Sequence, residues 1–319
     1  MRTKGQLVIV ASCTMRKKGD IPQALRFRRY ARSSNGSRPI DAWRRALQTH
    51  DVDTVPAAGL YAGAFWSVVG ELPAIARGRG IAASLLIASA GYGLVSSEAE
   101  LKPYSATFSP GPDSVVADPP NSDSRARGFK NWWQQLSLWK GPRGHQGPRS
   151  LEQIANQRPG TSILVIASPV YVRAIADDLL GAAQALRHPE SLVIVSSVVG
   201  FPDELAEHLV PSVARLQSRL GGTLGSLHAR TARHLLKEAS LPLDAHVLRA
   251  TFERIASRAK PLKANSREHR SDSQVRAFIR SQLKDGSRSC TALLRLYRDS
   301  GFRCEQKRFR NLFAEARRS

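Results

Sequence analysis

The sequence predicts an α/β fold, in which a parallel sheet is covered by helices on both faces and is followed by a small, basic helical domain. Three observations predict it. Four short runs rich in β-branched residues are continuously apolar, which is typical of strands buried on both faces. Helical patterns over 57–75 and 172–186 lie between such runs, as parallel strands require. The last part of the chain changes to short helical segments dense in Arg and Lys.

The predicted strands cover 7–11, 84–88, 163–167 and 192–195, and small or polar residues follow each one. Ligands of open parallel sheets bind beyond the carboxyl ends of the strands, although at any single position such residues can simply turn the chain. We therefore expect a ligand pocket at this edge. Its predicted lining is Ser12, Cys13, Ser89, Gly91, Tyr92, Gly93, Ser168, Tyr171 and Ser197.

The region 103–149 is rich in Pro, Gly, Ser and Asp and is predicted to be a long functional loop that carries one helix. Large apolar side chains interrupt it, and we expect at least two of its tryptophans to pack in the core. These side chains are Phe129, Trp132, Trp133, Leu136 and Trp139.

Two domains are predicted, one over 1–245 and one over 246–319, with a polar linker near 259–273. The second contains three helical patterns separated by Gly286 and Gly301, and Ser289 or Thr291 is expected to cap the middle helix. A helix-turn-helix or winged-helix arrangement fits this pattern, with the third helix as the candidate recognition helix.

The chain has 48 Lys and Arg against 26 Asp and Glu, a net charge of +22. This excess predicts a polyanionic partner, and the density of charge near the C-terminus favours DNA over an ordinary solvated helix face. The residues expected to contact DNA are Lys17, Lys18, Arg149, Arg276, Arg280, Arg288, Arg295, Lys307, Arg308 and Arg310.

Several classes of protein are disfavoured. No apolar run is long enough for a membrane span and no signal-peptide pattern is present, so a cytoplasmic location without a membrane partner is expected. Cys13, Cys290 and Cys304 are widely spaced and match neither a disulfide framework nor a zinc site. We expect no metal, no other cofactor and no obligatory protein partner.

The segment LLIASAGYGLVSSEAELKPYSATF resembles the DUF6884 family, in which a strand leads into Ser-Ala-Gly-Tyr-Gly-Leu and a Pro-Tyr pair follows about ten residues later. The pieces VIVASCTMRKK, GLYAGAF and RLGGTLGSLHARTARHLL also fit, although His228 stands where the family pattern has Asn. The segment SCTALLRLYRDSGFRCEQKRF is similar to basic tails of relatives. The family in turn resembles peroxide-stress YaaA proteins and, more distantly, uracil-DNA-glycosylase-like and archaeosine-synthase domains.

This resemblance implies an antiphage DNA glycosylase of the Brig type, with a glycosylase-like α/β domain. Such an enzyme flips a modified base out of phage DNA, notably glucosylated hydroxymethylcytosine, and excises it to leave an abasic site. The bond breaks through an oxocarbenium-like sugar, which needs a nearby negative charge, and the flipped base needs a stacking pocket.

For the carboxylate, the predicted functional loop offers Asp113, Asp118 and Asp123, and the turn after the Tyr-Gly-Leu stretch offers Glu98 and Glu100. We favour Asp113 and Asp123. Asn121 is expected to orient water or the base, and Tyr104 is expected to act with Tyr92 at the pocket. Lys17 and Lys18 follow the first strand and predict an anion-binding corner. Cys13 is a weaker candidate nucleophile.

Three alternatives remain open at this point. The chain can be a DNA-binding stress or regulatory protein of the YaaA type without catalysis. It can be a relative of the tRNA base-modifying transglycosylases. A nuclease is the least favoured alternative, because no cluster with metal-ligand spacing is visible in the sequence.

Overall fold

The structure is a computed structural model that describes residues 6–31, 38–116, 121–142, 146–260, 268–283 and 289–318. The chain divides into two compact units, Met1–Pro261 and Leu262–Ser319. The predicted boundary after residue 245 is therefore too early. The helix Ala245–Ser257 belongs to the first unit because Ala245, Leu248 and Phe252 are buried in that unit's core.

A six-stranded, mostly parallel sheet forms the centre of the first unit. The strands of this unit are β1 (Gln6–Ser12), β2 (Val55–Pro56), β3 (Ala82–Ser89), β4 (Gly93–Ser96), β5 (Glu100–Leu101), β6 (Ser162–Ile166), β7 (Leu192–Ser196) and β8 (Leu209–Pro211). The strand order in the sheet is β4-β3-β1-β6-β7-β8, and the two short strands β2 and β5 pair with each other outside it.

The four predicted strands are confirmed as β1, β3, β6 and β7. Consecutive residues of β1, β6 and β7 are buried, so both faces of the sheet are covered. β1 pairs in parallel with β3 on one side and with β6 on the other, whereas β4 folds back antiparallel on β3. The α/β class is thereby confirmed.

The sheet extends from β1 in both directions. The chain first adds β3 on one side of β1 and later adds β6, β7 and β8 on the opposite side. The carboxyl ends of β1 and β6 therefore border the topological switch point, where connections diverge and leave a crevice.

The helical patterns are more broken than predicted. Residues 57–75 form short helices interrupted near Gly63, whose φ of 100° is unfavourable for other residues, and residues 172–186 belong to two helices. The helices of this unit are α1 (Pro39–Thr49), α2 (Ala57–Leu60), α3 (Ala64–Val69), α4 (Leu72–Gly78), α5 (Ser122–Leu138), α6 (Leu151–Gln157), α7 (Pro169–Ala174), α8 (Ala176–Ala185), α9 (Gln217–Leu220), α10 (Leu227–Glu238) and α11 (Ala245–Ser257).

The long region 103–149 does carry one helix, α5. Its apolar side chains Phe129, Trp132, Trp133 and Leu136 are all buried, as is Trp139 just beyond it. The prediction that at least two tryptophans pack in the core is confirmed. Within the described ranges, no helix has the length and apolar character needed to cross a membrane.

The second unit contains three helices around a core of its own. They are α12 (Asp272–Leu283), α13 (Cys290–Asp299) and α14 (Gln306–Arg318), and β9 (Glu268–His269) pairs in parallel with β10 (Phe302–Arg303). Val275, Ile279, Leu293, Tyr297 and Phe309 are fully buried between the helices. Ser289 caps α13 by accepting the backbone N–H of Ala292, as predicted.

Candidate functional site

A chain of buried hydroxyl groups lies just beyond the carboxyl end of β3. Ser89 Oγ is 2.7 Å from the Tyr104 hydroxyl, which is in turn 3.0 Å from the Tyr61 hydroxyl. The backbone N–H groups of Gly91 and Tyr92 both donate to Ser89 Oγ. Ser89 therefore closes the turn after β3 and also fixes the position of the Tyr104 phenol.

A second contact spans the switch point between β1 and β6. Cys13, directly after β1, places its Sγ 3.1 Å from the hydroxyl of Tyr171, which lies in α7 after β6. Thr107 Oγ1 is 3.4 Å from the same hydroxyl, and Ala90 N–H donates to the Cys13 sulfur. Segments that are distant in sequence thus meet here. We call this set the polar cluster: Cys13, Tyr61, Ser89, Tyr104, Thr107 and Tyr171.

Lys17 lies over the polar cluster. Its Nζ is 4.3 Å from the ring centroid of Tyr104 and 5.6 Å from that of Tyr61, and it donates to the carbonyl of Thr14 at 3.0 Å. Burial lowers the pKa of the Lys17 amine, and the charges of Cys13 and Asp113 oppose that change. The environment therefore favours the neutral amine more than water does.

The phenols of the polar cluster keep their protons. Burial raises the pKa of Tyr61, Tyr104 and Tyr171 well above its usual value, because a phenolate would lose its hydration there. No phenolate therefore stands beside Lys17 at neutral pH to hold its ammonium form.

The predicted glycines of the pocket do not leave open space. A Cβ at Gly91 would lie 2.4 Å from Tyr104 Cε2, and a Cβ at Gly93 would lie 2.8 Å from an Arg149 Nη. These positions are small because Tyr104 and Arg149 pack against them. Tyr92 is buried with its hydroxyl bonded to the backbone of Lys102, and it borders a cavity of about 740 Å³ that Trp139 also lines.

Asp113 is buried and anchors the segment that follows Tyr104. One carboxylate oxygen accepts the backbone N–H of Arg28 at 3.1 Å, and the other accepts the Ser105 hydroxyl at 2.7 Å. The Arg28 guanidinium is 3.9 Å away and is half exposed. Of the two favoured carboxylates, Asp113 is the one whose charge acts on Lys17.

Asn121 and Asp123 have structural positions at the start of α5. Asn121 is the N-cap, and its side-chain oxygen accepts the Ser124 N–H at 2.8 Å. Asp123 lies in the exposed first turn, where a carboxylate favours the positive end of the helix dipole. Neither side chain bonds to the polar cluster, so their assignment as catalytic groups is replaced by a role in starting the helix.

Other predicted residues lie at the sheet edge without joining the cluster. Among the described residues, Ser12, Ser168 and Ser197 have no partner for a side-chain hydrogen bond, and the Ser168 carbonyl receives the N–H groups that begin α7.

Lys18 is exposed, unlike Lys17 beside it. The two lysines of the predicted anion corner thus have different environments.

Arg149 is a partly buried cation whose hydrogen bonds are structural. Its guanidinium donates to the carbonyl oxygens of Tyr92, Leu94, Leu136 and Trp139. Burial lowers its pKa to about 10. This geometry gives Arg149 a structural role, because its donors hold together the turn after β3 and the end of α5. Its contact with DNA stays a prediction.

The basic residues of the second unit fall into two groups. Arg280, Arg295, Lys307 and Arg310 are exposed. Arg308 instead bonds Asp272 and the Arg270 carbonyl, and Arg276 bonds Glu315, so these two hold the helices together. Arg308 is therefore only partly exposed, and its expected contact with DNA stays a prediction. Arg288 lies outside the described residues.

Sequence reasoning missed several contributors to the site. Tyr61 and Thr107 belong to the polar cluster, and both lie inside segments that carry the family resemblance. The indole N–H groups of Trp43 and Trp132 donate to the carbonyls of Gly91 and Ala90. Nothing in a single sequence shows which tryptophan reaches which carbonyl.

A further carboxylate, Asp178 in α8, is buried among donors. It accepts the N–H groups of Leu151 and Glu152 at the start of α6 and the indole N–H of Trp133. Burial raises its pKa to about 6 despite these bonds. All of its partners belong to neighbouring helices, which indicates a structural role.

Comparison of the chain with models of known protein families, with curated proteins and with solved structures finds no match.

Proposed function

We propose that this chain is a DNA N-glycosylase, which excises a modified base from DNA and leaves an abasic site. One observation carries the proposal. Three of the segments that resemble the DUF6884 family, although far apart in sequence, supply side chains of a single site. VIVASCTMRKK supplies Cys13 and Lys17, GLYAGAF supplies Tyr61, and the Tyr-Gly-Leu to Pro-Tyr segment supplies Ser89, Tyr104 and Thr107.

The chemistry of the site suits glycosidic cleavage. A sugar that develops positive charge is stabilised by a fixed carboxylate in a poorly hydrated site, and Asp113 is such a carboxylate. Hydroxyl groups with raised pKa keep the proton that a hydrogen-bond donor to a departing base needs. Asp113 is assigned the electrostatic role and Tyr104 the donor role.

The proposed substrate is phage DNA that carries a modified cytosine, glucosylated hydroxymethylcytosine being the first to test. This choice comes from the family resemblance. The net charge of +22 supports a polyanionic substrate, and 15 Lys and Arg against six Asp and Glu lie between residues 262 and 319. We assign this basic unit, as a helix-turn-helix or winged-helix module, to sequence-independent contacts with the phosphates.

The test is an excision assay. The purified full chain is incubated with duplex DNA that contains glucosylated hydroxymethylcytosine and with the same DNA containing cytosine. Released base is measured by mass spectrometry, and abasic sites are measured with an aldehyde-reactive probe. Release from the modified DNA alone supports the proposal, whereas intact DNA across a panel of modified cytosines contradicts it.

Asp113→Asn and Asp123→Asn form a matched pair. Asparagine keeps the shape of Asp113, so the bond from Arg28 N–H can persist while the charge is removed. We expect Asp113→Asn to slow excision by about 100-fold or more while DNA affinity is retained. Asp123→Asn should excise the base at the wild-type rate. If Asp123→Asn were slow and Asp113→Asn had the wild-type rate, the catalytic carboxylate would lie at the start of α5.

The second candidate is a DNA-binding protein without catalysis. It is favoured by the packing of the polar cluster, whose hydroxyl groups are bonded to one another and largely closed to solvent. Binding of all duplexes with equal affinity and no base release would support this alternative.

Parallel assays on tRNA test the transglycosylase alternative, which predicts base release from RNA instead.

A further inference from the structure

Lys17 differs from an ordinary surface lysine in what surrounds its amine. The Nζ donates to one backbone carbonyl and otherwise faces the rings of Tyr104 and Tyr61. No carboxylate of the described residues lies within ion-pair distance of it, and the side chain remains partly exposed. Among the described residues, the amine thus has no counter-ion, and its residue is not completely buried.

The same surroundings favour a nucleophilic amine. Burial lowers the pKa of Lys17, and the adjacent phenols carry no negative charge at neutral pH because burial raises their pKa. Asp113 and Cys13 oppose the effect on Lys17, but burial is the larger influence. A desolvated lysine with a free electron pair is the group that forms Schiff bases with carbonyl compounds.

We propose that Lys17 forms an imine with the C1′ aldehyde of an abasic deoxyribose. The inference rests on the proposed function, because excision of a base is the reaction that supplies this aldehyde. The geometry behind it is the amine of a partly exposed residue, without an ionic partner among the described residues and placed over the buried cluster that borders the switch point.

The covalent step needs no oxidant or reductant. The Lys17 electron pair attacks C1′ of the ring-opened sugar, the carbonyl oxygen takes up protons, and water leaves to give a protonated imine. Loss of the C2′ proton to water then sends that electron pair towards the imine. Cleavage of the C3′–O bond releases the 3′ phosphate as a leaving group, and hydrolysis of the imine regenerates Lys17. The product is a nicked strand that ends in an unsaturated aldehyde.

Borohydride trapping tests the imine without requiring base excision. Duplex DNA with one abasic site prepared beforehand is mixed with the full chain and sodium borohydride, which reduces C=N to a stable secondary amine. We expect a protein–DNA adduct on a denaturing gel with wild type. The adduct should be absent in Lys17→Arg and Lys17→Met, whereas Lys237→Arg, which alters an exposed lysine of α10, should trap like wild type.

Peptide mapping keeps the test independent of how the variants fold. In the wild-type adduct, the sugar remnant should be found on Lys17 after digestion. Its location on the amino terminus or on another lysine would overturn the proposal, as would wild-type trapping by Lys17→Arg or the absence of any adduct. An adduct on Lys17 in a protein that excises no base would support this inference and contradict the proposed function, so the two failures are distinguishable.

Discussion

The ring of Tyr104 lies so close to the backbone of Gly91 that a Cβ added there would be 2.4 Å from Tyr104 Cε2. The φ angle of Gly91 is not in the left-handed region, so the backbone conformation does not require glycine at this position. The missing side chain instead allows the close approach of the Tyr104 ring. The close packing fixes the Tyr104 phenol in reach of Ser89 and Tyr61.

Gly91→Ala should therefore destabilise the protein. We expect a decrease of about 1–3 kcal/mol in the free energy of unfolding, because the new methyl group must displace a buried ring. Denaturant unfolding measures it. Gly59→Ala is the control, since nothing lies within 4 Å of a Cβ at that helical position, and it should be neutral or slightly stabilising. Equal midpoints for the two variants would contradict this packing of Tyr104 on Gly91.

Arg149→Lys tests the structural assignment of that cation. Lysine cannot reach four separate carbonyls, so we expect a decrease of at least about 2 kcal/mol in unfolding free energy. The salt dependence of DNA binding should be unchanged. Arg45→Lys, at an exposed position of α1, should change neither property. A flatter salt dependence in Arg149→Lys would return this residue to the DNA interface.

The basic helix α14 contains both exposed basic residues and one, Arg308, that bonds to neighbouring elements. Lys307→Ala with Arg310→Ala should weaken DNA binding across sequences and reduce the slope of log affinity against log salt by about 0.9 for each phosphate that is no longer neutralised. Arg308→Ala should instead lower the stability of the second unit, because it removes the bonds to Asp272 and the Arg270 carbonyl. If Arg308→Ala lowered the slope while the melting temperature stayed constant, Arg308 would bind DNA directly.

Asp178 should make stability depend on pH. Its pKa in the folded protein is about 6, above the value of 3.8 expected when unfolded, so the folded state binds the proton more tightly. Unfolding free energy should fall as pH rises from about 4 to about 6, by up to about 3 kcal/mol, and then level off. Unfolding of wild type and Asp178→Asn across this range measures the difference. Parallel pH profiles for the two proteins would contradict the assignment.

The sheet can be predicted because continuous apolar runs bury both faces of a strand, and that signal is local. The strand β8 escapes prediction because three residues between irregular segments carry too little pattern. The predicted domain boundary falls too early because α11, with Arg249 and Arg254, is similar in composition to the basic segments that follow it. The buried Leu248 and Phe252 that tie it to the first unit are not distinguishable by composition.

The candidate site is predictable in its location and less so in its members. Small and hydroxyl residues after strands indicate the edge of the sheet at which the polar cluster forms, and Cys13, Ser89, Tyr104 and Tyr171 lie there. Asn121 and Asp123 are misassigned from sequence because a helix N-terminus and a catalytic loop use the same residue types. Tyr61 and Thr107 emerge only from contacts between segments that are remote along the chain.

The bond between Cys13 and Tyr171 gives the protein a built-in reporter. The Cys13 thiol is buried, so a maleimide can alkylate it only while the segments that follow β1 and β6 are transiently separated. Its labelling rate, compared with that of the more accessible Cys290, would therefore measure how often the crevice opens. Slower labelling in the presence of an oligonucleotide would reveal occupancy of the crevice without any assay of turnover.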